Sequence, residues 1–80
     1  MIYFIDFLSS DGIVAEDEAG QEYPGLKEAE TEAIQSGREL LSEQIGSPRD
    51  YVLEAVLISQ EDGQEIKRIF GRDILAGLLN

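Results

Sequence analysis

Four glutamates carry the best-defined constellation in this sequence. Glu28, Glu32, Glu39 and Glu43 follow one another at intervals of four, seven and four residues. On a helix they project within roughly 60° of each other along roughly 22 Å of axis. A row of carboxylates so placed can dock the lysines and arginines of a basic partner, or imitate a phosphate track. Solvation of an exposed helix face explains the same row. Two of its intervals are like-charge i,i+4 pairs, each costing roughly 0.2–0.5 kcal/mol, and Glu39 and Glu43 stand toward the negative end of the helix dipole.

Other clusters are less specific. Glu16-Asp17-Glu18 precedes Gly20, but the alternating oxygen ligands and distal glutamate of a calcium loop are missing, so a solvated turn is the plainer reading. Lys67, Arg68 and Arg72 gather around Phe70. They suit an exposed strand edge, or pairing with acids of the same chain, better than nucleic acid, which would need more positive charge. Ser9 and Ser10 have no activating base and lie at a turn. With no histidine, cysteine or tryptophan, the commonest general base and the soft metal ligands are missing. Any two of the 17 acids could in principle share acid–base work, but nothing singles out a pair, and there is no glycine-rich phosphate loop. No catalytic, cofactor-binding or metal-binding residue is assigned, and the expectation is a protein that is not an enzyme.

The charge is unevenly spread. Residues 6–43 contain eleven acids against Lys27 and Arg38, a net of −9, whereas residues 44–80 sum to −2. Such a field opposes direct contact with nucleic acid or anionic membranes. No apolar run approaches the roughly 18 residues of a membrane span. The start of the chain lacks a basic leader pattern, which points to a soluble, cytoplasmic protein.

The elements that position these groups are legible from periodicity. Ile2 to Leu8 is rich in aromatic and β-branched types and reads as a strand. Ser9-Ser10-Asp11-Gly12 turns the chain into a short return strand, Ile13-Val14-Ala15, and Gln21-Glu22-Tyr23 follows as a further extended piece. From Leu26 to about Ile45 the period becomes 3.6, with Leu26, Ala29, Ala33, Gly37, Leu40 and Leu41 in one stripe. Gly25 serves as N-cap with Glu28 at N3, and Gly46-Ser47-Pro48 stops the helix. Gly37 costs about 1 kcal/mol of helix propensity, which close approach of the helix to a sheet would offset. Tyr51–Ser59 and Glu65–Phe70, turned at Glu61-Asp62-Gly63, form a second hairpin. Asp73 is placed to cap a short C-terminal helix reaching Leu79. The expected class is α+β: one 80-residue domain with an antiparallel sheet from two hairpins (β-β-[β]-α-β-β) and one long amphipathic helix packed on one face.

Both long strands are apolar on both faces. Ile2, Phe4 and Leu8 alternate with Tyr3, Ile5 and Phe7, and Leu53, Ala55 and Leu57 with Val52, Val56 and Ile58. One helix covers one face, so either the terminal segment Ile74–Leu79 or a partner must cover the other.

The run Asp17-Glu18-Ala19-Gly20-Gln21-Glu22-Tyr23-Pro24, continuing through Gly25-Leu26-Lys27-Glu28-Ala29, Glu32-Ala33 and Arg38-Glu39-Leu40, resembles short bacterial proteins that carry a domain of unknown function. Their pattern is a Tyr-Phe strand, an Asp-Gly turn, Asp-Glu-x-Gly-x-Glu-x-Pro and an alanine-rich helix. Tyr3-Phe4, Asp11-Gly12 and Glu61-Asp62-Gly63 occupy matching places. Tyr23 stands where leucine is common in that family, and Gly37 where alanine is usual. The resemblance implies the α+β fold and carries over no activity or site residue. A looser likeness, of architecture alone, is to HicB-type antitoxins and double-stranded RNA-binding domains.

The functional expectation is a protein-interaction module, as a homodimer or an adaptor. It would use Glu28, Glu32, Glu39 and Glu43 toward a basic protein partner and an apolar sheet surface elsewhere, with no cofactor. The alternative is an acidic, antitoxin-like inhibitor that occupies a nucleic-acid-binding protein.

Overall fold

Alternation along two eight-residue strands builds the centre of the molecule. In a computed structural model that describes residues 1–46 and 51–79, β1 (Ile2–Ser9) and β4 (Leu53–Gln60) pair antiparallel along most of their lengths, from Tyr3↔Gln60 to Ser9↔Leu53. β5 (Glu65–Phe70) returns beside β4, and β2 (Val14–Ala15) and β3 (Gln21–Glu22) both pair with the outer edge of β1. The sheet order is β2-β1-β4-β5, with β3 below β2 on the same edge of β1. This is the α+β class expected, and β1–β2 and β4–β5 are the two hairpins. The two central strands, distant in sequence, carry the apolar residues because a central strand is covered by neighbours on both sides.

A single carboxylate explains how β2 and β3 share one edge. β2 pairs with Phe7 and Leu8, and β3 with Ile2 and Tyr3. Between them the amide of Ile5 would lack a partner, and a backbone donor left so costs stability. Asp17 fills the gap: its Oδ2 accepts the Ile5 N–H at 3.2 Å and its Oδ1 accepts the Gly20 N–H at 3.0 Å. Its own N–H donates to Asp6 Oδ1 at 2.8 Å. Asp17 is a surrogate rung of the ladder, rather than part of a merely solvated turn. Gly20 completes the clamp with φ +72°, against Ile2 and Phe4, where a side chain would be strained.

The long helix α1 (Leu26–Gly46) buries Ala29, Ala33, Gly37 and Leu41 against the sheet, while Leu26 and Leu40 of the same stripe are half-buried. Gly25 caps it, its carbonyl accepting the Ala29 N–H at 3.3 Å. Gly46 is the last helical residue, and Ser47 and Pro48, read as part of the stop, lie outside the described residues. The core joins Tyr3, Ile5, Val56 and Ile58 of the sheet with Tyr23, the small residues of α1, and Ile74.

Several bounds differ from those expected, and the open question of the second face is answered. Ile13 and Tyr23 fall outside β2 and β3, and β4 runs on to Gln60. β4 begins at Leu53 rather than Tyr51, because Val52 pairs with Ser10 instead: Ser10 N–H donates to the Val52 carbonyl at 2.8 Å, and the Val52 N–H to Ser10 Oγ at 3.0 Å. The terminal helix, α2 (Gly71–Leu79), starts two residues before Asp73, which lies in its first turn and not at the cap. Gly71 permits this abrupt start, since a Cβ there would run into the Leu53 carbonyl oxygen. Finally, α2 does not cover the second face of the sheet. Ile74 packs near Gly37 and Val56, so both helices lie on the same side.

Candidate functional site

The acidic row is where the periodicity placed it. Glu28, Glu32, Glu39 and Glu43 are all exposed on α1, on the side facing away from the sheet. Among the described residues none of the four has a cation within ion-pair distance. Their contacts are neutral: Ser36 Oγ donates to Glu32 Oε1 at 3.4 Å, and Gln35 Nε2 to Glu39 Oε1 at 3.2 Å. Glu28 folds back over the N-cap, its Oε1 lying 3.3 Å from where a Gly25 Cβ would be. It therefore also serves the positive end of the helix.

Glu30 was outside the row, at about 40° from Leu26 on the helical wheel. That angle is the signal that sets it apart, since it falls between Gly37 at about 20° and Leu41 at about 60°, within the apolar stripe. Its Oε1 lies 4.0 Å from Lys67 Nζ, which ties α1 to β5. Glu32 has a second neighbour. With Asp17, Glu16, Ser36 and Tyr23 it lines a groove of about 380 Å³ between α1 and the β2–β3 edge. Tyr23 ionises less readily than an ordinary tyrosine, first because its ring is buried, then because Glu32 and Asp17 oppose a phenolate.

Each residue of the basic cluster makes a contact within the chain. Arg68 donates through Nε and Nη2 to both carboxylate oxygens of Glu65 at 3.0 Å, a bidentate pair that holds the Glu65 carboxyl below its usual range. The Arg72 guanidinium sits 5.0 Å above the Phe70 ring. With Lys67 engaged by Glu30, these three residues decorate and pin the edge strand and its exit.

The face of the sheet turned away from the helices is the feature that sequence reading left undecided. β1 presents Ile2, Phe4, Asp6 and Leu8 there, β4 presents Ala55, Leu57 and Ser59, and β5 presents Arg68 and Phe70, as their cross-strand pairing requires. Ile2, Phe4, Leu8 and Leu57 are half-buried and none packs with the core cluster. Val14, opposite Leu8, and Phe70, opposite Ala55, are 39% and 38% exposed. An apolar strip thus crosses four strands with no described helix over it.

A hollow of about 520 Å³ lies at one end of the molecule, lined mainly by Leu41, Ile45, Val52, Leu53, Phe70 and Leu75. Of its polar neighbours, Gln44 Oε1 accepts the Leu53 N–H at 2.9 Å and Ser10 is bonded to Val52. The charged Glu54 and Arg72 also belong to its lining, which is otherwise mainly apolar. Among the described residues no three carboxylates are placed to hold a metal ion, and no helix is long and apolar enough to cross a membrane.

No curated protein and no solved structure matches this chain. The two-layer fold, the clamp around Asp17 and the paired hairpins all fall within residues 2–70, which match the family described as Domain of unknown function (DUF6894), and the chain belongs to that family.

Proposed function

We propose that this chain is a non-enzymatic protein-interaction module that works in the cytoplasm and presents two surfaces in opposite directions. The acidic face of α1 meets a basic protein partner, and the open sheet face meets an apolar one. The placement of α2 beside α1 carries this reading. Because both described helices occupy one side of the sheet, the half-buried Leu8 and Leu57 on the other face have no described helix over them and run on to the exposed Val14 and Phe70. Contiguous apolar surface left open in a small protein marks an interaction site. The four carboxylates support the second surface, since they hold charge that no described cation of the chain neutralises.

The test is affinity capture from the native host with three baits: the wild-type chain, the variant E28Q/E32Q/E39Q/E43Q, and Leu57→Glu. The reading expects a basic protein captured by the wild type and lost with the glutamine variant, with binding that weakens as salt rises. Equal recovery by all three baits would refute it. Displacement of the captured partner by double-stranded DNA would identify the narrower role of an acidic inhibitor of a nucleic-acid-binding protein.

A further inference from the structure

Resting on the interaction-module reading, we infer that the occupant of the open sheet face is a second copy of this chain, docked face to face about a twofold axis that runs along β4 past Leu57. The charge pattern of one cross-strand row points to this partner. Asp6 pairs with Leu57, and Leu57 with Arg68, so the row reads negative, apolar, positive from β1 to β5. A twofold axis along β4 exchanges the β1 side of one copy with the β5 side of the other. Each Asp6 then lies opposite the Arg68 of the second copy, and Leu57 meets Leu57. One row along, the pairs Leu8↔Ala55 and Ala55↔Phe70 form an all-apolar line, and the same operation sets Leu8 against Phe70. Twofold interfaces are self-complementary in this manner, and two sheets packed face to face keep their strands nearly aligned.

The groups involved have capacity to spare. Glu65 occupies Nε and Nη2 of Arg68, which leaves Nη1 without a partner among the described residues. Asp6 accepts the Asp17 N–H through Oδ1, and its Oδ2 has no described donor. A guanidinium that bridges two carboxylates is strongly oriented by its planar fork.

Long-range charge agrees with this partner. The strands that overlap under the operation, β1, β4 and β5, are eight, eight and six residues long and at about 4.8 Å spacing project roughly 350 Å². Specific interfaces start near 600 Å² of accessible surface per partner, and side chains add area to the projection. Sheet-to-sheet docking also turns both acidic helix faces outward. Three layer spacings of roughly 10 Å keep the two carboxylate rows about 30 Å apart, several Debye lengths at physiological salt, where one length is about 8 Å. The net charge of −11 therefore opposes this dimer far less than one formed through α1.

Sedimentation velocity over roughly 1 to 300 μM decides the matter. The wild type should sediment as a dimer at the upper end of that range. Leu57→Glu, which sets two carboxylates against each other on the axis, should weaken the dimer at least ~100-fold. Arg68→Glu and Asp6→Lys should each weaken it ~10-fold or more, whereas D6K/R68E should restore association because both pairs are re-formed in reverse. Far-UV circular dichroism confirms folding. Arg68→Glu keeps the test decisive if Asp6→Lys disturbs the Asp17 clamp, because among the described residues the Arg68 side chain is hydrogen-bonded to Glu65 alone. A wild type that remains monomeric throughout, or single charge reversals that dimerise as well as wild type, would overturn the inference. Either result leaves the acidic-face capture experiment to judge the wider reading separately.

Discussion

Replacing Gly37 by alanine tests whether the glycine in α1 is there for packing. In an exposed helix interior the exchange stabilises by about 1 kcal/mol. At Gly37 the new methyl would lie 2.8 Å from Ile74 Cδ1, 3.1 Å from Val56 Cγ2 and 3.5 Å from Leu53 Cδ2. The first two distances are too short, and overpacking typically costs roughly 1–3 kcal/mol. Ile74 can swing its terminal methyl away, but Val56 is β-branched in a central strand and stiff. The net expectation is destabilisation by about 1 kcal/mol, out of a total of roughly 4–12 kcal/mol for a chain this size. Gly77, in α2 with no atom within 4 Å of its hypothetical Cβ, is the internal control, and Gly77→Ala should stabilise by about 0.5–1 kcal/mol. Urea unfolding followed by circular dichroism measures both, with unchanged m-values as the check on two-state behaviour. Ile74→Val supplies the cycle. Alone it should cost about 1 kcal/mol, yet it removes the methyl that crowds position 37. G37A should therefore be nearly neutral in the I74V background, a coupling of about 1 kcal/mol. If G37A stabilised as much as G77A, or the two costs simply added, the packing explanation would fail.

Three further expectations follow from single groups. Asp17→Ala should cost about 2 kcal/mol by leaving the Ile5 and Gly20 amides without their acceptor; hydrogen exchange at Ile5 should accelerate, and unchanged protection there would show that water replaces the rung. Tyr23 should titrate above the ordinary tyrosine range, with Glu32→Gln reversing only the smaller, electrostatic part of the shift. Because the folded state favours the neutral phenol, the associated stability is complete below about pH 10 and is lost as pH rises through the folded value. Tyrosinate absorbance, compared between wild type and Tyr23→Phe, reads this directly, and a normal titration would contradict the buried placement. Gly71→Ala should destabilise by ~3 kcal/mol or more, since its methyl meets the backbone carbonyl of Leu53 rather than a movable side chain; thermal melting near the wild-type temperature would refute that geometry.

Much of the fold was legible because local patterning and tertiary demand agree. The switch from period two to 3.6 after Pro24 located α1, and its buried residues Ala29, Ala33, Gly37 and Leu41 are four of the six in the apolar stripe read from the sequence, Leu26 and Leu40 being half-buried. β5 matched its expected limits, Glu65–Phe70, because Asp62-Gly63 fixes the turn before it, with Gly63 at φ +85°. Residue types were a poorer guide where a side chain replaced backbone. Asp17 looked like one of three acids in a solvated turn, and only the gap between β2 and β3 gives it a task. Ser10 likewise moved the start of β4 by pairing with Val52.

The sequence by itself determined that the long strands are apolar on both faces and that four glutamates share one side of α1, because these are consequences of spacing within single elements. Which face of the sheet stays uncovered was decided only by the tertiary structure. Gly71 turns the chain directly from β5 into α2 and delivers Ile74 beside Gly37, on the side that α1 already occupies. The row Asp6, Leu57, Arg68 likewise exists only once β1, β4 and β5 are in register. Its members are 51 and 11 residues apart in the chain, and no periodicity in one strand reports the register of another.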